Sequence, residues 1–239
     1  EKDDKLIYYE KDSTFDLSLS KSKTDRYIFI TSSSTLSSEC QYLNANTPNA
    51  SFRVIQPRKK DLLYSVQDCG DKFYIVTNLD AQNFRLMETP ISSTQMGSWK
   101  EFIPSRANVL LEGIDVFKDY LVVQERKDGL ANIRVISWKT KAEKTVNFNE
   151  ETYTSYISYT PDFNSSKVRI EYTSLTTPET VYDYNMETGE KALLKQQEVL
   201  GGNFNPAQYE AKRLWAKASD GTMIPMSVVY KKGIKLDGS

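Results

Sequence analysis

The chain has 239 residues, 39% of them apolar and 12% aromatic, enough to bury a core in one large domain or two smaller ones. Its 31 basic residues nearly cancel its 32 acidic ones, and no basic run is interleaved with aromatics, so nucleic acid is not an expected partner. No window approaches the roughly eighteen consecutive apolar residues that cross a bilayer, so no membrane partner is expected either.

From the N-terminus, residues 1–5 carry neither a basic region nor an apolar one, and they begin without Met, as expected of a processed or excised piece. The segment "LIYYE" (6–10) reads as the outer strand of an earlier repeat. Then "RYIFITSSS" (26–34), "KFYIVTNLD" (72–80), "DYLVVQERK" (119–127) and "KVRIEYTSL" (167–175) share one pattern, a strand followed by a polar turn. Thr31, Thr77, Gln124 and Thr173 mark equivalent points, at steps of 46, 47 and 49 residues. A period in that range indicates a repeat architecture.

Each repeat divides into four short runs rich in Val, Ile, Leu, Phe and Tyr, separated by Gly, Asp, Asn or Lys turns. The second repeat, for example, is "LLYSVQDC", "FYIVTN", "NFRLMET" and "WKEFIP". No run sustains a 3.6-residue period, which argues against helical solenoids. Four antiparallel strands per repeat specify β-propeller blades, placed at about 12–57, 62–104, 110–148 and 154–196. The expected fold is therefore all-β, with a partial propeller of about four blades over 1–197. Ser/Thr-rich stretches such as "YTSLTTPET" (172–180) fall between the second and third strands of a blade, where hydroxyls satisfy turn backbone groups and Pro178 stops the ladder. "METGE" (186–190) has a single Gly and makes no phosphate loop.

Cys40 and Cys69 sit in or beside strand runs without a CxxC partner and read as two half-buried thiols, not as a disulfide or metal site. Histidine is absent altogether. That excludes a Ser-His-Asp or Cys-His pair within this chain and removes the commonest zinc ligand. Neither a metal nor an organic cofactor is expected. Trp99, Trp138 and Trp215 lie in strand runs and read as core residues.

After Gln197 the spacing changes. "VLGGNFNPAQ", with Gly201, Gly202 and Pro206, reads as a linker over 198–208. Residues 209–239 then open with two strands joined by a turn at Asp220 and Gly221. The second of these carries Met226, Val228, Val229 and Tyr230 and needs a partner sheet.

"NFRL" (83–86), "VLLEGIDVF" (109–117), "YTSLTTPETVYDY" (172–184), "TGEKALLKQQEVLGG" (188–202) and "LWAKASDGTMIPMSVVYKK" (214–232) together resemble the prolyl oligopeptidase family of serine peptidases, and within it the oligopeptidase B subfamily. The resemblance covers essentially the whole chain. It implies the later blades of a seven-bladed propeller followed by the first hairpin of an α/β-hydrolase domain. It also implies a parent enzyme that cleaves short peptides after Arg or Lys, with the propeller acting as a non-catalytic gate. The family's Ser, Asp and His lie beyond this segment, so no catalytic residue is expected in the chain. The implied partners are basic oligopeptides and the peptidase domain in cis, and the implied compartment is cytoplasmic, with periplasmic as the alternative.

The residues themselves offer three substrate-binding candidates. Glu112 and Asp115 in "LLEGIDVF" are assigned to an innermost blade strand, where carboxylates would attract basic peptides; a merely polar channel wall is the competing reading. Arg106, on the preceding loop, would reach the peptidase domain or a substrate carboxylate, against a simple solvated loop arginine. Open blade edges would allow self-association. The rival functional reading is a free-standing propeller that serves as a protein-binding module, with a sugar- or lipid-handling propeller as a third.

Overall fold

In the computed structural model, residues 4–202, 204–235 and 237 are described; the expected outer bounds at residues 1 and 239, and position 203 of the expected linker, lie outside them. The chain forms two compact units, Glu1–Ala107 and Asn108–Ser239.

The first unit contains two four-stranded antiparallel sheets. One is β1 (Asp16–Lys21), β2 (Tyr27–Ser33), β3 (Ser38–Asn44) and β4 (Arg53–Gln56). The other is β5 (Tyr64–Cys69), β6 (Lys72–Thr77), β7 (Arg85–Pro90) and β8 (Lys100–Ile103), and each sheet runs in simple chain order. Period-2 alternation makes the strands two-faced, so Phe29, Tyr42 and Ile55 of one sheet pack against Tyr64, Phe73 and Ile75 of the other, with Trp99 closing the cluster. Polar groups fasten the same interface. Ser38 Oγ donates to Tyr64 O at 2.9 Å and accepts from Tyr64 N at 2.7 Å.

Tyr64 has a second task. Where β3 shifts register against β4 between Cys40 and Gln41, its hydroxyl accepts from Cys40 N at 2.7 Å and donates to Gln56 O at 2.6 Å. The phenol thus completes a ladder that the bulge leaves open. Tyr64→Phe is expected to cost about 1–3 kcal/mol, because it leaves a buried N–H and C=O without partners. A urea midpoint that falls at unchanged m-value checks this; an unchanged midpoint overturns it.

The second unit holds two further sheets. One is β9 (Val109–Val116), β10 (Tyr120–Lys127), β11 (Leu130–Ser137) and β12 (Glu143–Thr145); the other is β13 (Tyr153–Ile157), β14 (Lys167–Ser174), β15 (Thr180–Asn185) and β16 (Lys191–Gln196). Val122, Ile133, Val135, Phe148, Ile170 and Tyr172 form the core between them. Gln124 bridges the two sheets, with Nε2 donating to Ser155 O at 3.1 Å and Oε1 accepting from Ile157 N at 3.2 Å. The four runs that defined the repeat are β2, β6, β10 and β14, the second strand of each four-stranded sheet.

A two-stranded hairpin follows, β17 (Tyr209–Lys217) with β18 (Met223–Lys231). Gly221, at φ +89°, takes the left-handed turn position that only glycine adopts without cost. Leu214, Met223, Ile224, Met226 and Val229 are exposed on it.

Three expectations need correction. Residues 6–10 form no strand among the described residues, although Tyr8 and Glu10 are held by contacts to Ser32 and Arg58. Cys40 is fully buried rather than half-buried, and burial pushes its thiol up to about 12; Cys69 is half-buried, and neither forms a disulfide. Trp215 is 45% exposed, since the hairpin that carries it has no covering sheet among the described residues.

Candidate functional site

β9 is an edge strand of its sheet, and Glu112 lies on it at a bulge. Gln124 pairs with Gly113 and Glu125 with Leu111, leaving Glu112 as the extra residue. Its exposed carboxylate accepts from Arg126 Nε on β10 at 2.7 Å, so its charge is already met. The bulge also fixes the side on which Asp115 lies. Asp115 pairs with Val122, and cross-strand partners share a face, so the half-buried Asp115 lies on the side of β9 that carries the inter-sheet core. Arg106 belongs to the first unit, half-buried ahead of β9, and its carbonyl accepts from Asn83 Nδ2 at 3.0 Å. Glu112 and Asp115 therefore share a strand, whereas Arg106 falls in the other unit.

A second group of polar residues, passed over in the sequence, is more tightly built. Residues 146–152 connect β12 to β13, and two adjacent carboxylates on this connection hold different elements. Glu150 Oε1 accepts from Thr177 Oγ1 at 2.5 Å and Oε2 from Thr176 Oγ1 at 3.1 Å, pinning the Ser/Thr loop between β14 and β15. Within that loop, Ser174 Oγ accepts from Thr177 N at 2.8 Å and Thr176 N at 3.1 Å. Burial works to raise the Glu150 carboxyl, but hydroxyls of Ser174, Thr177, Tyr172 and Thr176 together hold it below the usual carboxylate range. Glu151 Oε2 accepts from Arg213 N of β17 at 3.0 Å.

The Arg213 side chain extends this contact. Its guanidinium donates to Ser227 Oγ on β18 at 3.1 Å and to the Asp128 carbonyl in the tight turn between β10 and β11. That turn is Asp128-Gly129, with φ +53° and +76°, the pairing a two-residue hairpin requires. A Cβ at Gly129 would meet Arg213 Nη2 at 2.8 Å and Pro225 Cγ at 3.5 Å, so glycine there admits the hairpin as well as the turn. The Asp-Gly dipeptide was a readable turn signal. Its contact with a residue 85 positions away was not.

A cleft of about 740 Å³ opens in the first unit, lined by Arg26, Tyr27, Tyr42, Arg53, Asp71 and Ile91 among others. None of these is a nucleophile with an adjacent base. Among the described residues no group of three or more His, Cys, Asp or Glu is placed to hold a metal ion. No helix is long and apolar enough to cross a membrane. The arrangement holds one element against another; the chain, without histidine, carries no Ser-His-Asp machinery.

Residues 1–197 match the family model described as the prolyl oligopeptidase N-terminal beta-propeller domain. Dipeptidyl aminopeptidase BI of Pseudoxanthomonas mexicana is 38% identical over 237 residues, covering 98% of this chain and 32% of that protein. Protease 2 of Moraxella lacunata is 31% identical over 230 residues, covering 96% of this chain and 33% of the relative. Among solved structures, oligopeptidase B from Leishmania major matches with a TM-score of 0.87 at 28% identity, over 99% of this chain and 34% of that one. Oligopeptidase B from Trypanosoma brucei, in a closed form with covalently bound antipain, matches with a TM-score of 0.85 at 28% identity, over 96% of this chain and 34% of that one. The chain spans about a third of the length of these relatives. With four four-stranded antiparallel sheets, and with 197 residues matched to the propeller domain, the chain belongs to the prolyl oligopeptidase family of serine peptidases.

Proposed function

We propose that the protein carrying this chain is a serine oligopeptidase that cleaves short peptides after Arg or Lys, and that residues 1–197 are its non-catalytic gate. Residues 209–239 begin its α/β-hydrolase domain. The observation that carries this reading is the likeness to oligopeptidase B, which spans 99% of the chain and so extends past the propeller match into the hairpin. The exposed apolar residues of β17 and β18 support it, because a free-standing binding module has no use for an uncovered apolar hairpin. Opening between gate and peptidase would admit the peptide, and closing would exclude water from the acyl-transfer site.

Within this reading Asp115 and Glu112 attract the basic substrate, and Arg106 meets a peptide carboxylate or the peptidase domain. Asp115→Asn is expected to raise KM for a basic peptide by up to about fivefold at low salt with kcat unchanged, the worth of one partly exposed charge pair. Glu112→Gln should do less, since Arg126 already neutralises Glu112.

A second reading is favoured by the 38% identity to dipeptidyl aminopeptidase BI. Under it the substrate keeps a free N-terminus and loses a dipeptide. One assay separates the two. The intact protein is given amino-blocked fluorogenic peptides ending in Arg or Lys beside dipeptidyl substrates with free amino groups. Cleavage of the blocked peptides, stopped by a serine-directed inhibitor, is expected. Activity confined to the free-amino substrates transfers the assignment to the dipeptidyl reading, and silence on both removes the peptidase assignment.

A further inference from the structure

The geometry points to a mechanical link, through residues 149–152, between the Ser/Thr loop at 174–177 and the hairpin β17–β18, such that releasing one element loosens the other. The link stands on contacts within the second unit and holds whichever peptides the parent protein cleaves.

The chain of contacts is short and continuous. The hydroxyls of Thr176 and Thr177 hold Glu150, the next residue is Glu151, and Glu151 accepts the backbone N–H of Arg213. One peptide unit thus separates the carboxylate that orders the loop from the carboxylate that docks the hairpin. Glu150 cannot follow a displaced loop without turning the backbone that aims Glu151, because the two side chains leave consecutive residues of a bend that Glu150 N closes by donating to Phe148 O at 2.8 Å. A bend closed in this way transmits a rotation where a flexible linker would absorb it.

Among the described residues the hairpin end of the link is held through one residue, Arg213, which is what a release requires. Arg213 N–H to Glu151 and the Arg213 guanidinium to Asp128 O join the hairpin to the sheets, and Ser227 Oγ braces the guanidinium from β18. Arg213 Nε is enclosed without a hydrogen-bond partner, so the docked arginine carries an unmet donor that undocking would return to water. The exposed side chains of β17 and β18 add little apolar cover to the docked state. The loop end, by contrast, is closed upon itself by Ser174 Oγ and by the Glu150 carboxylate. A ligand or neighbouring domain that competes for the Thr176 and Thr177 hydroxyls would act on the hairpin through Glu150, with no contact of its own there.

Amide hydrogen exchange on the intact protein tests the link. In Thr176→Val/Thr177→Val, the amides of β17 and β18 are expected to exchange at least about fivefold faster than in the unaltered protein, the lower end of ordinary coupling between sites. Glu150→Gln, which keeps the side-chain shape but removes the charge, should shift them in the same direction. Coupling is reciprocal, so Glu151→Gln should accelerate exchange in the 174–177 loop by a similar factor. The amides of β10 and β14 serve as the control for folding. Faster loop exchange with unchanged hairpin exchange, in variants whose β10 and β14 amides stay protected, overturns the proposal. So does a hairpin response without the reciprocal loop response. A variant whose β10 and β14 amides lose protection is replaced by Glu150→Gln, whose result is read by the same criteria.

Discussion

Arg26→Met is expected to lower the stability of the first unit by about 3–5 kcal/mol, the usual cost of leaving a buried charge without its counter-ion. The charge in question is Asp68 on β5, whose side chain is 1% exposed. Arg26 reaches it from the turn between β1 and β2, with Nη2 at 2.7 Å and Nε at 3.1 Å from the same carboxylate oxygen, and Thr24 Oγ1 adds a third donor at 2.5 Å. The other oxygen, Asp68 Oδ1, has no partner. Without the guanidinium the carboxylate keeps one hydroxyl donor, too little to replace the water it has lost. Because the Arg26 side chain is itself 40% exposed, the loss comes from the aspartate's side of the pair, and the lower end of the range is the better expectation.

The double variant is the sharper measurement. Arg26→Met with Asp68→Leu removes both charges and is expected to recover most of the loss, since an apolar pair of similar volume often equals a buried ion pair. Denaturant midpoints for the two single variants and the double variant give the coupling directly. Additive losses would show that Arg26 contributes by packing over Tyr27, whose ring centroid lies 5.5 Å from its guanidinium carbon, and not by its charge.

Much of this fold was legible because its signals are local. "VRIEYT" alternates as a half-buried strand must, "FYIVT" is the short apolar run of a buried one, and Asp-Gly at 128–129 marks its turn by chemistry that only neighbouring residues decide. The repeat step needed nothing beyond the sequence. The candidate residues were harder because a single bulge changes their meaning. Alternation alone cannot reveal that Glu112 is the unpaired residue of β9, nor that the shift places Asp115 on the core side beside Val122. Gly113 was the one hint, since glycine inside a strand pattern often marks a bulge.

The network around Glu150 was not legible at all, for a different reason. "NFNEETYTS" shows two glutamates in a polar connection, which is what any solvated loop looks like. Their meaning comes from Thr177, 27 residues later, and Arg213, 62 residues beyond Glu151. The same holds for residues 6–10, where an apolar run suggested a strand. A strand needs a neighbour's backbone, and the pattern of one segment cannot say whether that neighbour is present.

Phe73→Ala is expected to cost about 3–5 kcal/mol, the range for truncating a fully buried phenylalanine. Phe73, the second residue of β6, is 0% exposed, and three rings from the other sheet meet it edge-on: Tyr42 at 5.0 Å, Tyr27 at 5.5 Å and Phe29 at 6.0 Å between centroids. Edge-to-face contacts of this kind add about 0.5–1.5 kcal/mol beyond the buried area, so the loss should lie toward the upper end. The cavity cannot collapse easily, because Tyr42 is tied to Ile91 O by its hydroxyl and Ile75 and Met87 already occupy the flanking space. Phe73→Leu keeps most of the volume and should cost less than half as much, through the lost ring contacts and imperfect shape. Amide exchange of β2 and β6, which face each other across this cluster, reads both variants. If Phe73→Ala accelerated exchange no more than Phe73→Leu, the aromatic cluster would not be what joins the first two sheets, and the Ser38–Tyr64 clip and the Arg26–Asp68 pair would have to hold them.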